Sequence, residues 1–125
     1  ELVVYYPALK ITARELRGNE SPAQLAHVQS AIRQRLAQNG NPPVYLSLDI
    51  DCLDPAFAPG TGTPEPGGMS TNQVLTMLEE LSDVRCVGMD CVEVAPAYDH
   101  AELTSNAAAN LIWTYLSGQI ARHAP

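Results

Sequence analysis

Three carboxylates stand at the end of one apolar run. Val44-Tyr45-Leu46-Ser47-Leu48 leads directly into Asp49, Asp51 and Asp54, and the chain then enters a stretch dense in Pro, Gly and Thr that ends at Gly67-Gly68. The pattern reads as a buried strand that closes on a charged site. Side chains on an extended strand alternate between faces, so Asp49 and Asp51 are expected to point the same way, roughly 6–7 Å apart along the backbone. Two carboxylates held together away from water repel unless a proton or a cation neutralises them, which makes a divalent metal the functional reading.

Three other readings use the same residues. A calcium loop of the helix-loop-helix kind needs oxygen ligands at its first, third and fifth positions, Gly at the sixth and Glu at the twelfth. Counted from Asp49, the fifth, sixth and twelfth positions hold Leu53, Asp54 and Gly60, and the motif fails. Phosphatases with a nucleophilic Asp in a D-x-D-x-Thr signature match up to Cys52, but Leu53 stands where Thr belongs. The plainest alternative is a strand end whose acids cap turns, since Asp before Pro is ordinary turn chemistry.

The longer string is more specific. D-x-D-x-x-D-P-x-x-A-P-G-T-G-T-P-x-x-G-G, running from Asp49 to Gly68, closely resembles the signature of the ureohydrolases, the arginase and agmatinase family of binuclear manganese hydrolases. Gly88-Met89-Asp90-Cys91-Val92-Glu93-Val94-Ala95-Pro96-Ala97-Tyr98-Asp99 resembles the family's other C-terminal block. The Glu-Val-Ala-Pro form of this block, like Ala58-Pro59-Gly60-Thr61, is nearer to agmatinases than to arginases. The resemblance extends from about Val44 to Leu116.

That resemblance implies a fold, a cofactor and a reaction. The fold is α/β, a three-layer α/β/α arrangement with a mostly parallel sheet, here as a partial domain. Two manganese ions share six protein ligands in the family. Carried over, Asp49 bridges both ions, Asp51 binds one, and a hydroxide held between the metals attacks a guanidinium carbon, releasing urea and an amine. For agmatine the amine is putrescine. Glu93 matches the carboxylate that orients the guanidinium, a role suited to a group that accepts two parallel N–H bonds. Asp49 and Glu93 are thus the catalytic candidates, Asp49 and Asp51 the metal candidates, and Glu93 with Thr63 the substrate candidates. Asp54 and Asp90 read as supporting or turn acids, and His100 as a turn histidine. The family's His ligand and D-x-H-x-D block have no counterpart here, because none of His27, His100 and His123 sits in such a pattern. Residues 1–125 are therefore expected to be the C-terminal portion of a single ureohydrolase domain, inactive alone and weak in manganese binding. The full-length protein is expected to be a homo-oligomer. Guanidinobutyrate and guanidinopropionate hydrolases share these blocks, and a non-catalytic truncated module is the alternative of another class.

Bulk properties set the limits. A chain of 125 residues makes one domain at most, and no apolar run approaches the ~20 residues of a membrane span. A net charge of −7 argues against nucleic acid and suits a cationic small molecule. Cys52, Cys86 and Cys91 are odd in number and lack a C-x-x-C pair, which reads as reduced thiols in a cytoplasmic protein.

Elements must then carry these residues into place. Strand-like residues open the chain at positions 2–6, without an initiator Met or a targeting pattern, so the chain reads as beginning mid-protein. A short extended piece is expected over residues 10–16 and a turn at Gly18-Asn19-Glu20. Ser21, Pro22 and Gln24 form a helix-start signature, with Leu25, Val28, Ile32 and Leu36 on one stripe and Asn39-Gly40 as the stop; His27 reads as a surface residue. Val44 to Ile50 is too apolar for a strand with one wet face and suits a central parallel strand. A loop covers residues 52–69, and Ser70 with Gln73 starts a second helix bearing Val74, Leu75, Leu78 and Leu81. A further strand is expected from Val84 to Val94, ending near Glu93. Thr104 is read as the cap of a last helix from about Ser105 to Arg122, striped by Leu111, Ile112, Tyr115 and Leu116. Trp113 and Tyr98 read as packing residues. Alternation of strand and helix points to crossover units, with ligands gathered beyond the carboxyl ends of the strands, where Asp49, Asp51 and Glu93 converge.

Overall fold

A computed structural model describes residues 8–123. Its elements are α1 (Ala13–Leu16), α2 (Pro22–Gln38), β1 (Val44–Asp49), α3 (Thr71–Glu80), β2 (Cys86–Val92) and α4 (Leu103–His123), with 3₁₀ turns at Ile50–Cys52 and Pro96–Tyr98. The strand expected over residues 2–6 lies outside the described residues.

Local chemistry explains where the helices begin. Ser21 and Ser70 both accept a hydrogen bond from the amide three residues on, and the Gln24 and Gln73 side chains accept one from the cap's own amide, so two otherwise unpaired donors are satisfied at each helix start. Pro22 occupies the first turn of α2, where no amide proton is missed. Gly40 at φ +76° and Asn41 at φ +50° turn the chain away after α2. Residues 10–16 differ from the extended reading: Thr12 caps a single helical turn, Ala13–Leu16, with Glu15 completing a capping box. Four residues are too few to show a helical period, so only the Thr-x-x-Glu spacing carried the signal.

The strands β1 and β2 pair in parallel, Tyr45 opposite Gly88, Ser47 opposite Asp90 and Asp49 opposite Val92. The connection between them passes through α3. On one face Leu48, Met89 and Cys91 pack with Ile50, Leu53, Val74, Ala107, Ala108 and Leu111, so α3 and α4 cover it. Small residues at 107 and 108, with Thr104 and Leu111 a turn to either side, let α4 approach closely. A smaller cluster of Leu16, Leu25 and Val28 reaches Met69 and Met77 and seats α2 against α3. The buried Gln73 side chain ties these pieces together, donating to the carbonyls of Leu16 and Asn19 at 2.8 Å each.

The other face of the sheet differs from expectation. Among the described residues nothing covers Tyr45, which is 60 % exposed, or Ser47 and Asp49, so β1 has one open face and one packed face. Trp113, at 71 % exposure, and Tyr98 likewise pack against little, contrary to their reading as packing residues. The second strand is also shorter than its apolar run, Cys86–Val92 rather than 84–94, and Glu93 lies just past its end.

Candidate metal and substrate site

Asp49 closes β1, but Asp51 is not on the strand. The chain turns into a 3₁₀ helix at Ile50, whose side chain is fully buried, and Asp49 caps that turn by accepting the Asp51 amide at 3.3 Å. Strand alternation therefore does not bring the two acids together, as the sequence reading had it. Burying Ile50 forces the turn, and the turn folds Asp51 back toward Asp49. Partial desolvation raises the Asp49 carboxyl above its ordinary value, and the Asp51 charge adds to this against the pull of the Asp51 amide. A cation beside the pair would relieve this repulsion.

Thr63 meets the same acids from the loop, its hydroxyl donating to Asp51 Oδ2 at 2.6 Å. Glu93 approaches from the end of β2. A Cβ built on Gly62 would sit 3.8 Å from Glu93 Oε2, so the loop presents bare backbone to that carboxylate. Glu93 takes φ +65°, a left-handed conformation that costs a non-glycine residue about 1–3 kcal/mol and persists only where its surroundings over-determine it. Asp49, Asp51, Thr63 and Glu93 thus lie around one loop at the carboxyl ends of both strands.

Asp54 and Asp90 serve elsewhere. Asp54 accepts the amides of Ala56 at 2.9 Å and Gly67 at 2.7 Å, which pins the loop neck and holds its carboxyl below the usual range. The neck is closed further by Asp54 N–H to Met69 O and Met69 N–H to Cys52 O, both at 2.9 Å. Asp90 sits mid-strand on the open face and is not a turn acid. It accepts the hydroxyls of Ser47 at 2.6 Å and Tyr45 at 3.2 Å, a tie between strands. His27 and His100 are exposed. Cys52 lies beneath the acids, its thiol pushed up to about 11 by burial and by the charges of Asp49 and Asp51, which leaves it protonated and a poor ligand.

Four further residues belong to the site's frame. Gly60 donates its amide to Thr104 Oγ1 at 2.7 Å and accepts the Ala95 amide at 2.8 Å. Asp99, not Thr104, caps α4, accepting the amides of Thr104 and Ser105 at 2.9 Å each. Thr61 is buried, and its hydroxyl has no partner among the described residues. In the sequence Gly60 and Thr61 stand in the first family-like block and Asp99 ends the second, but no spacing ties them to one another, and Thr104 alone read as the cap.

Carboxylate oxygens suit manganese and magnesium rather than softer ions, and a close acidic pair is the chemistry such ions satisfy. Among the described residues no group of three or more His, Cys, Asp or Glu side chains is placed to hold one. Asp49 and Asp51 are by themselves too few donors to complete such a site.

With this geometry in place, comparison with known proteins gives a consistent result. The arginase family profile matches residues 9–117. The chain belongs to the arginase family. Agmatinases of Escherichia coli and Klebsiella pneumoniae are 55 % identical to it over 83 residues, which is 66 % of this chain and 27 % of theirs. The match thus spans about a quarter of those relatives' length. Among solved structures, the proclavaminate amidino hydrolase of Streptomyces clavuligerus superposes with a TM-score of 0.73 at 44 % identity, over 91 % of this chain and 36 % of that one. A hypothetical agmatinase from Burkholderia thailandensis gives 0.70 at 43 %, over 84 % and 34 %. The fold is accordingly α/β, a parallel sheet with helices that forms part of the arginase-like three-layer architecture. No helix among the described residues is long and apolar enough to cross a membrane.

Proposed function

We propose that this chain forms one wall of the active site of an agmatinase-like hydrolase, which cleaves a linear guanidino compound into urea and an amine. The observation that carries this reading is the convergence of Asp49, Asp51 and Glu93 on the Thr61–Thr63 loop, anchored by the bond from Thr63 to Asp51. Asp49 and Asp51 would hold manganese together with donors outside the described residues. When bound, the metal supplies the Lewis acidity that makes water nucleophilic near neutral pH. Thr63 fixes the free oxygen of Asp51, so that carboxylate keeps one orientation. Glu93 accepts paired N–H bonds from the substrate guanidinium and turns its carbon toward the acids. A cationic substrate also suits a chain of net charge −7.

Agmatine is the proposed substrate, supported by the 55 % identity to agmatinases over 83 residues. A second reading, hydrolysis of a different linear guanidino compound, is favoured by the comparable likeness to proclavaminate amidino hydrolase. A cytoplasmic, homo-oligomeric complete protein belongs to the same proposal, the three free thiols favouring a reducing compartment. The test is urea release by the complete protein that carries this segment, supplied with manganese and offered agmatine, guanidinobutyrate or guanidinopropionate. Agmatine should have the highest kcat/KM, and Glu93→Ala should lower it by at least ~100-fold. Equal turnover of all three, or full activity in Glu93→Ala, would contradict the assignment.

A further inference from the structure

Glu93 is held in a left-handed conformation just past the end of β2. The Gly60 carbonyl accepts the amide of Ala95, two residues past Glu93, at 2.8 Å. The Gly60 amide is in turn fixed by the fully buried hydroxyl of Thr104 at 2.7 Å, in the first turn of α4. Asp99 closes the other side. A Cβ at residue 60 would lie 2.6 Å from Asp99 Cβ and 2.7 Å from its Cα, so only glycine fits between the loop and this segment. Asp99 also orients Thr104 by accepting its amide and both donors of Ser105, at 2.9 Å each. Gly60 is therefore gripped through both its backbone polar groups, three residues before Thr63 binds Asp51.

We infer that Thr104 is a positioning residue for Glu93. Through Gly60 it locks the backbone beyond Glu93, and so sets where that carboxylate stands relative to Asp51 and Thr63. This inference rests on the substrate-orienting role proposed for Glu93. Its consequence is a defect in substrate binding, distinct from a loss of stability. Thr104→Val keeps the shape but removes the acceptor, leaving the Gly60 amide unpaired.

The test measures steady-state kinetics with agmatine on the complete protein, together with manganese affinity. Thr104→Val should raise KM about tenfold with manganese affinity unchanged, and Thr104→Ser, which keeps the hydroxyl, should restore most of the loss. In a double-mutant cycle the Thr104→Val and Glu93→Gln effects should be far from additive, because one acts through the other. Unchanged KM with only a lowered Tm would overturn the inference, as would additive effects. Should Thr104→Val not fold, Thr104→Cys, with its weaker acceptor, takes its place, and wild-type KM there overturns the inference equally. Glu93→Gln with wild-type KM would instead sink the role of Glu93 itself, an outcome separable from failure of the clamp.

Discussion

Glu93 and Asp99 show how much a single residue can be asked to do. Glu93 occupies a conformation better suited to glycine, at the point where its carboxylate meets the Gly62 loop. Glu93→Gly should therefore stabilise the fold by about 1 kcal/mol while abolishing substrate binding, measurable as a raised Tm beside lost urea release. A lowered Tm would show that the conformation is not strained. Asp99 carries the opposite arrangement. Burial pushes its carboxyl up, but the amides of Ser105 and Thr104 and their hydroxyls outweigh that and hold it at about 2, below the ordinary carboxylate range. Because the folded state binds the proton less readily than the unfolded one, its contribution is complete above pH ~4 and is lost as pH falls toward 2. Denaturation midpoints measured from pH 5 to pH 2 should fall less steeply in Asp99→Asn than in the wild type; parallel profiles would refute the role. Residue types revealed the acids, but not their conformations. The proximity of Asp49 and Asp51 was legible and its cause was not, because a 3₁₀ turn driven by burial of Ile50 leaves no spacing signal of its own.

Elements were most legible where their chemistry is local. Ser21 with Gln24 and Ser70 with Gln73 marked two helix starts, since a capping box is written within four residues. The start of α4 was less legible, because its cap acts across five residues and passes Ala101 and Glu102, both at positive φ. The second strand ends before its apolar pattern does, since the left-handed turn at Glu93 interrupts pairing. The long loop is held at its neck, where Leu53 bridges Met69 and Gly68 approaches the facing backbone. A Cβ at residue 68 would lie 2.6 Å from the Asp54 nitrogen and 2.7 Å from the Leu53 carbonyl carbon, and backbone atoms in a closed neck have little room to yield. Gly68→Ala should cost about 1–3 kcal/mol, read as a lower midpoint in urea denaturation, with manganese-dependent activity falling alongside. An unchanged midpoint would mean that the neck is looser than the contacts indicate.

At the scale of the molecule, the described residues form a core on one side of a two-stranded sheet and leave apolar surface on the other. Val87 joins Tyr45 in being exposed, and α4 turns Trp113 and Ile120 outward, each 71 % exposed. Exposed apolar area of this kind, beside unpaired strand edges, favours association. The 125-residue chain alone should sediment as a concentration-dependent mixture of assemblies, and Trp113→Gln should shift it toward monomer; a stable monomer at all concentrations would contradict this. The parallel order and the placement of Asp49 and Glu93 at the strand ends were legible from alternating patterns. The open face was not, because an apolar strand reads the same whether or not a neighbour is present. We propose that Asp49 and Asp51 are tolerated together because they share a metal with donors beyond the described residues. Anomalous diffraction at the manganese edge, on crystals of the complete protein, tests this most directly. The account predicts manganese within coordination distance of carboxylate oxygens of both residues; manganese bound elsewhere, with both side chains turned away, would contradict it.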